Sequence, residues 1–208
     1  MCGLRRRSSI IEERAQAGQQ NMWVSEHRKL VSVFMKVLGL GLKPCEVADL
    51  ATAHEAVRVV QERVQRFDGV ITRLICDDKG TRFLIAFGLP GHANEDDETR
   101  AVLACLQTIE ALSAIDPVVP KREGDAAEED VEPPSLGVAI GITSGRVFCG
   151  EAGSDQRREY TLSGARVNLA ARLMQHAGKT PEKGVLVDQD TCAPPARIHA
   201  PPLPRLSP

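Results

Sequence analysis

At 208 residues with 42% hydrophobic side chains, the chain is long enough for one globular domain of ordinary size with tails. Its 26 basic against 28 acidic residues give a formal net charge of -2, which excludes the broad electropositive footprint that nucleic acid or an anionic membrane surface requires. A phosphate-bearing ligand would have to be met by local charge.

Residues 1–26 are polar and charged without lasting apolar periodicity, and are expected to form a frayed tail. The basic residues of "MCGLRRRSS" are not followed by an apolar segment, and nowhere do about 18 apolar residues run together as a spanning helix needs. The expectation is a soluble, cytoplasmic protein. In "KLVSVFMKVLGL", Val31, Val33, Met35 and Val37 form one wholly apolar face of a strand. Between Cys45 and Phe67, Val47, Leu50, Ala51, His54, Val57, Val60 and Val64 recur three or four apart, the stripe of an amphipathic helix. "VITRLICDD" and "GTRFLIAFG" read as two strands of a hairpin around "DDKG". A second helix is expected over 96–115, opened by acidic residues that suit its N-terminal dipole and carrying Ala101, Val102, Leu103, Leu106, Ile109 and Leu112.

Residues 117–134, rich in Pro and acids, have almost nothing to bury and read as a disordered insertion. "SLGVAIGITSGRVFCG" reads as two strands about a Thr-Ser-Gly turn, followed by an "EAGSDQRRE" loop and a short strand in "YTLSG". "ARVNLAARLMQHAGK" is a helix closed by Gly178, and "GVLVD" a last strand. The final 193–208 is too Pro-rich to join a core. The pattern predicts one α+β domain over 27–192, a mostly antiparallel sheet covered by helices. Six cysteines, at 2, 45, 76, 105, 149 and 192, show no metal or redox spacing and read as reduced core thiols.

On the helix after Gly164, Asn168 and Arg172 stand four apart and share a face. Amide and guanidinium together offer several donors to phosphate oxygens or a developing alkoxide. A merely solvated face is the competing reading, although Ala165, Leu169, Ala170, Ala171 and Leu173 surround the pair with small apolar residues. The histidines His27, His54, His92, His176 and His199 are too scattered for zinc. "GLPG" and "CGEAG" lack the Lys-Ser/Thr of a P-loop, and the acids of "ANEDDE" serve a helix dipole more readily than a cation.

The stretch "GVAIGITSGRVFCGEAGSDQRREYTLSGARVNLAARLM", with "FLIAFGLPG" and "EDDETRAVLACL" upstream, resembles the signature region of class III nucleotidyl cyclases. It is most similar to the second catalytic domain of the soluble, bicarbonate-responsive type of adenylyl cyclase. The resemblance covers roughly residues 30–192. It implies a ferredoxin-like domain that works as one of a pair, with ATP bound between the partners and converted to cyclic AMP and pyrophosphate. Asn168 and Arg172 fall on the family's transition-state Asn and Arg, implying that Asn168 orients the ribose and Arg172 neutralises charge on the phosphate. Thr161 falls where the soluble type reads the adenine amino group; a strand Thr with no ligand is the alternative of equal weight. Lys79 lies near the adenine-reading Lys, whose usual place aligns with Asp77.

The family's two metal-binding Asp are replaced, the first by Lys36 in "FMKVLG" and the second by Thr81. An ammonium repels Mg2+, which prefers carboxylate oxygens. The resemblance therefore implies that Mg2+ or Mn2+ would be held by a complementary cyclase domain bearing both Asp, and that a homodimer would be inactive. The Pro-rich sequence beyond "VLVDQDTC", where the family continues with a helix and strands, is expected to mark a truncated or alternatively spliced fragment with an unpaired sheet edge. The alternative to an enzyme half is a catalytically degenerate domain acting as a regulatory or dimerisation module.

Overall fold

The structure is a computed structural model that describes residues 25–40, 47–77, 80–115, 136–154, 157–179 and 184–192. Residues 1–24 of the expected N-terminal tail, the Pro-rich insertion and the C-terminal tail lie outside the described residues, whereas Glu26, placed in that tail, already pairs with Cys149 in a strand. In chain order the elements are β1 (Glu26–Leu38), α1 (Val47–Arg66), β2 (Val70–Asp77), β3 (Gly80–Phe87), α2 (Asp97–Ser113), β4 (Gly137–Ser154), β5 (Arg157–Ser163), α3 (Ala165–Ala177), β6 (Val185–Val187) and a single turn, α4 (Gln189–Cys192). Among the described residues no helix is long and apolar enough to cross a membrane.

The strands form one sheet in the order β2–β3–β1–β4–β5, with every neighbour antiparallel, and β6 adds parallel to the first half of β4. The α+β, mostly antiparallel architecture is as the periodicities imply. β1 is the centre: Val31, Val33, Met35 and Val37 are at most 1% exposed and meet Phe83, Ile85, Phe87, Ile140 and Ile142 under α1 and α2. The opposite face is also buried, because α3 lays Val167, Met174 and Ala177 over Leu30, Ala86, Val147 and Ala139. A register shift between Ile71 and Arg73 bends β2. The sheet curls until β2 and β5, at opposite ends of the strand order, touch, with Val70 against the cluster that holds Tyr160 and Leu162.

Four further expectations are corrected. "TSG" is no turn: β4 runs unbroken through it for 18 residues, since Glu26–Leu38 of β1 pairs it on both sides of Gly145, whose φ of 151° a side chain rarely adopts. The "EAGSDQRRE" loop is likewise mostly strand, because β4 and β5 pair out to Ser154 and Arg157.

The helix faces are rotated from the apolar stripes. α1 buries Thr52, Ala56, Val59, Val60 and Val64 and exposes Leu50. α2 buries Ala101, Ala104, Cys105, Thr108 and Leu112 while Leu103 and Leu106 stand in solvent. Small side chains win the contact because they let α1, α2 and the sheet approach closely. The described cysteines divide rather than sharing the core: Cys105 and Cys149 are buried, Cys76 and Cys192 exposed, while Cys2 and Cys45 lie outside the described residues. Burial pushes the Cys105 thiol up to about 12.

What seats α3 is Gly141 in β4. A Cβ there would lie 2.1 Å from the Ala170 carbonyl oxygen and 2.5 Å from the Met174 nitrogen, so the helix backbone rests directly on the strand. Gly141→Ala should cost about 3 kcal/mol or more, because backbone cannot step aside as a side-chain tip can. Urea unfolding measures it, and a variant within about 0.5 kcal/mol of the parent would contradict the seat described.

Asp97, at the start of α2, gives a pH test. Burial holds its carboxyl above the ordinary Asp range against the hydrogen bond its Oδ2 accepts from the Asn94 N–H at 3.2 Å. A folded pKa above the unfolded one means this group's contribution is full at low pH and is lost as pH rises through the folded value. Asp97→Asn removes that loss. Its stability relative to the parent should therefore improve between about pH 4 and about pH 7, read from urea midpoints at both.

Candidate active site

Helix α3 follows β5 through Gly164, whose φ of 149° admits the sharp entry. The first helical hydrogen bond runs from the Asn168 N–H to the Gly164 carbonyl at 3.2 Å. With Val167, Ala170, Met174 and Ala177 turned into the sheet, the 3.6-residue period leaves Asn168 and Arg172 on the outer flank. Both are exposed, and neither side chain has a hydrogen-bond or ion-pair partner among the described residues. The structure thus brings together an amide and a guanidinium free to meet a ligand.

Thr161 lies on β5 opposite Gly150, half-buried. Its neighbours Tyr160 and Leu162 are buried in the cluster that holds Val167 of α3. By strand alternation its own side chain projects to the other face, so it makes no common cluster with Asn168 and Arg172. Lys79 lies outside the described residues.

Lys36 and Thr81 do not face each other. Lys36 pairs in register with Arg82, and Thr81 with Val37 and Cys76. Thr81 is buried on the α1 and α2 side, its hydroxyl 3.8 Å from the Cys76 sulfur. Lys36, half-buried, shares the other face with Arg82, which ion-pairs with Asp77. Two cations opposite each other, answered by one carboxylate, do not fit a divalent metal. Among the described residues no group of three His, Cys, Asp or Glu could hold one.

Beneath the opening turn of α3 lies a polar knot. Arg166 reaches Asp188 at 2.8 Å and Asp190 at 2.5 Å, and its carbonyl accepts the Thr143 hydroxyl at 2.9 Å. Beside it the Ser144 hydroxyl donates to Glu98 at 2.8 Å, and Lys29 pairs with Glu98 at 2.9 Å. Burial works to raise the Glu98 carboxyl, and the hydrogen bonds from Lys29 and Ser144 outweigh it, leaving it below its ordinary value. Arg82, Glu98, Arg166 and Asp188 escape a reading of the sequence because their partners lie in other elements. The only local signal is Asp188-x-x-Thr191, a cap pattern before a helical turn.

Residues 42–192 match the model of the adenylate and guanylate cyclase catalytic domain. Adenylate cyclase type 10 of Rattus norvegicus is 29% identical over 167 residues, 80% of this chain, and that of Oryctolagus cuniculus 30% over 154 residues, 74% of the chain. The chain spans only 9% and 8% of those relatives' lengths. Among solved structures, the guanylyl cyclase Cya2 superimposes with a TM-score of 0.63 at 22% identity, covering 80% of this chain and 78% of that one. The adenylyl cyclase CyaB from P. aeruginosa gives 0.63 at 21%, covering 81% and 80%. Fold, motif and sequence agree, and the chain belongs to the adenylate and guanylate cyclase catalytic domain family.

Proposed function

We propose that this chain is one half of an adenylyl cyclase catalytic site, converting ATP to cyclic AMP and pyrophosphate together with a complementary, metal-binding cyclase domain. The observation that carries the reading is the pair on α3: Asn168 and Arg172 exposed, adjacent and unpartnered among the described residues. As the ribose 3′ oxygen attacks the α-phosphorus, that bond forms, the bond to the leaving pyrophosphate breaks, and the 3′ hydroxyl proton passes to water. Arg172 would meet the charge accumulating on the phosphoryl oxygens, and Asn168 would hold the ribose in line. Thr161 and Lys79 are the candidates for reading adenine. That the matched relatives are named adenylate cyclase supports ATP rather than GTP as the substrate.

The chain has no residues for the metal at Lys36 and Thr81, so Mg2+ or Mn2+ and its two carboxylates belong to the partner domain in this scheme. A second reading is a degenerate domain that pairs and regulates without turnover. The Lys36 and Arg82 pair favours it.

The test is cyclic AMP production from Mg-ATP or Mn-ATP by the chain alone and then mixed with a cyclase domain bearing both metal Asp. Activity is expected in the mixture only. Arg172→Ala and Asn168→Ala should each lower the rate of the mixture about a hundredfold or more. A mixture no faster than the metal-bearing domain alone would sink the half-site reading in favour of the regulatory one.

A further inference from the structure

Arg166, in the opening turn of α3, pairs with the exposed Asp190 at 2.5 Å and with a nearly buried carboxylate, Asp188, and the proposed chemistry uses neither. Asp188, directly after β6, has a side chain only 9% exposed. Its Oδ2 accepts from Arg166 Nη1 at 2.8 Å. Its Oδ1 accepts from the backbone N–H of Thr191 at 3.1 Å and of Ser144 at 3.4 Å, and from the Thr191 hydroxyl. The methylenes of Arg166 lie over Gly145, where a Cβ would come within 2.9 Å of Arg166 Cγ. Through Ser144 the network continues to Glu98 and Lys29. The start of α2, β1, β4 and the segment after β6 thus converge beneath Arg166.

Arg166 stands two residues before Asn168 on the same helical turn, and a helix moves as a stiff rod, so a shift of that turn carries Asn168 and Arg172 with it. We propose that Asp188 is a positioning residue, fixing the pitch of α3 through Arg166 so that Asn168 and Arg172 are presented at the height the transition state needs. This rests on the reading of those two residues given above. A carboxylate satisfied by donors from three segments has a single arrangement, whereas Gly141 fixes only how close the helix lies. Two restraints are needed because a helix seated on one glycine can still tilt.

The experiment uses the full chain carrying Asp188→Asn, Arg166→Gln or the conservative Arg166→Lys. Asp188→Asn keeps an oxygen for the Ser144 and Thr191 N–H groups and removes the buried charge that faces Arg166, leaving it only the exposed Asp190 carboxylate. Amide exchange in residues 165–169 is expected to quicken about tenfold with the β4 amides unchanged. In the mixture with a metal-bearing domain, kcat should fall about ten- to a hundredfold while KM for ATP stays within about twofold, with Arg166→Lys retaining most of the rate. Unchanged exchange in Asp188→Asn would overturn the proposal, as would faster exchange with kcat intact. A parent mixture that makes no cyclic AMP counts against the half-site reading instead, and exchange at 165–169 then decides whether Asp188 anchors the turn.

Discussion

The contact on which the rest depends is backbone against backbone: α3 lying on β4 at Gly141 with no side chain between them. It brings Val167, Ala170, Met174 and Ala177 down to the sheet, and thereby closes the second face of a domain whose first face is already filled by α1 and α2. With those four residues buried, helical geometry leaves no choice about what faces outward. Asn168 and Arg172 are exposed because their neighbours one and two positions away cannot be.

The central strand was legible because alternation is a strong signal when one face is wholly apolar, and β1 carries four such residues in register. The helix faces were less so. Leu50, Leu103 and Leu106 fit an apolar stripe but lie in solvent, since the buried faces of α1 and α2 combine Val60, Val64 and Leu112 with Ala56, Ala101 and Ala104, whose value is their small size rather than their hydrophobicity. Gly145 reads as punctuation in a linear sequence. It does not break β4, because pairing with β1 continues beyond it on both sides. Of the site, Asn168 and Arg172 could be found because an i, i+4 spacing is local information. Asp188 and Glu98 could not, because each acquires its partner from an element far along the chain.

The pair of cations on β1 and β3 gives the domain a direction. Lys36 and Arg82 face the same side of the sheet in adjacent strands, an arrangement that costs energy between like charges and that the ion pair with Asp77 offsets only in part. A partner domain bearing carboxylates would, in the proposed pairing, supply the charge of opposite sign that Lys36 and Arg82 lack. On the proposed reading, the choice of partner is written into the sheet in charge and the choice of reaction into α3 in hydrogen-bond donors, so the two can change independently.

The length of β4 has a consequence for how the chain reaches this state. It is bonded along one side to β1, a strand from the other half of the chain, and along the other side to β5 and then β6, which returns only after α3. None of the central pairings is local except the β2–β3 and β4–β5 hairpins. Until β4 arrives, one edge of β1 has no strand to bond, and the chain must bring distant segments together before burial rewards the loss of freedom. Folding should be slow for a domain of this size, and the interval before β4 docks is when the apolar faces of β1 and β3 are most open to other chains.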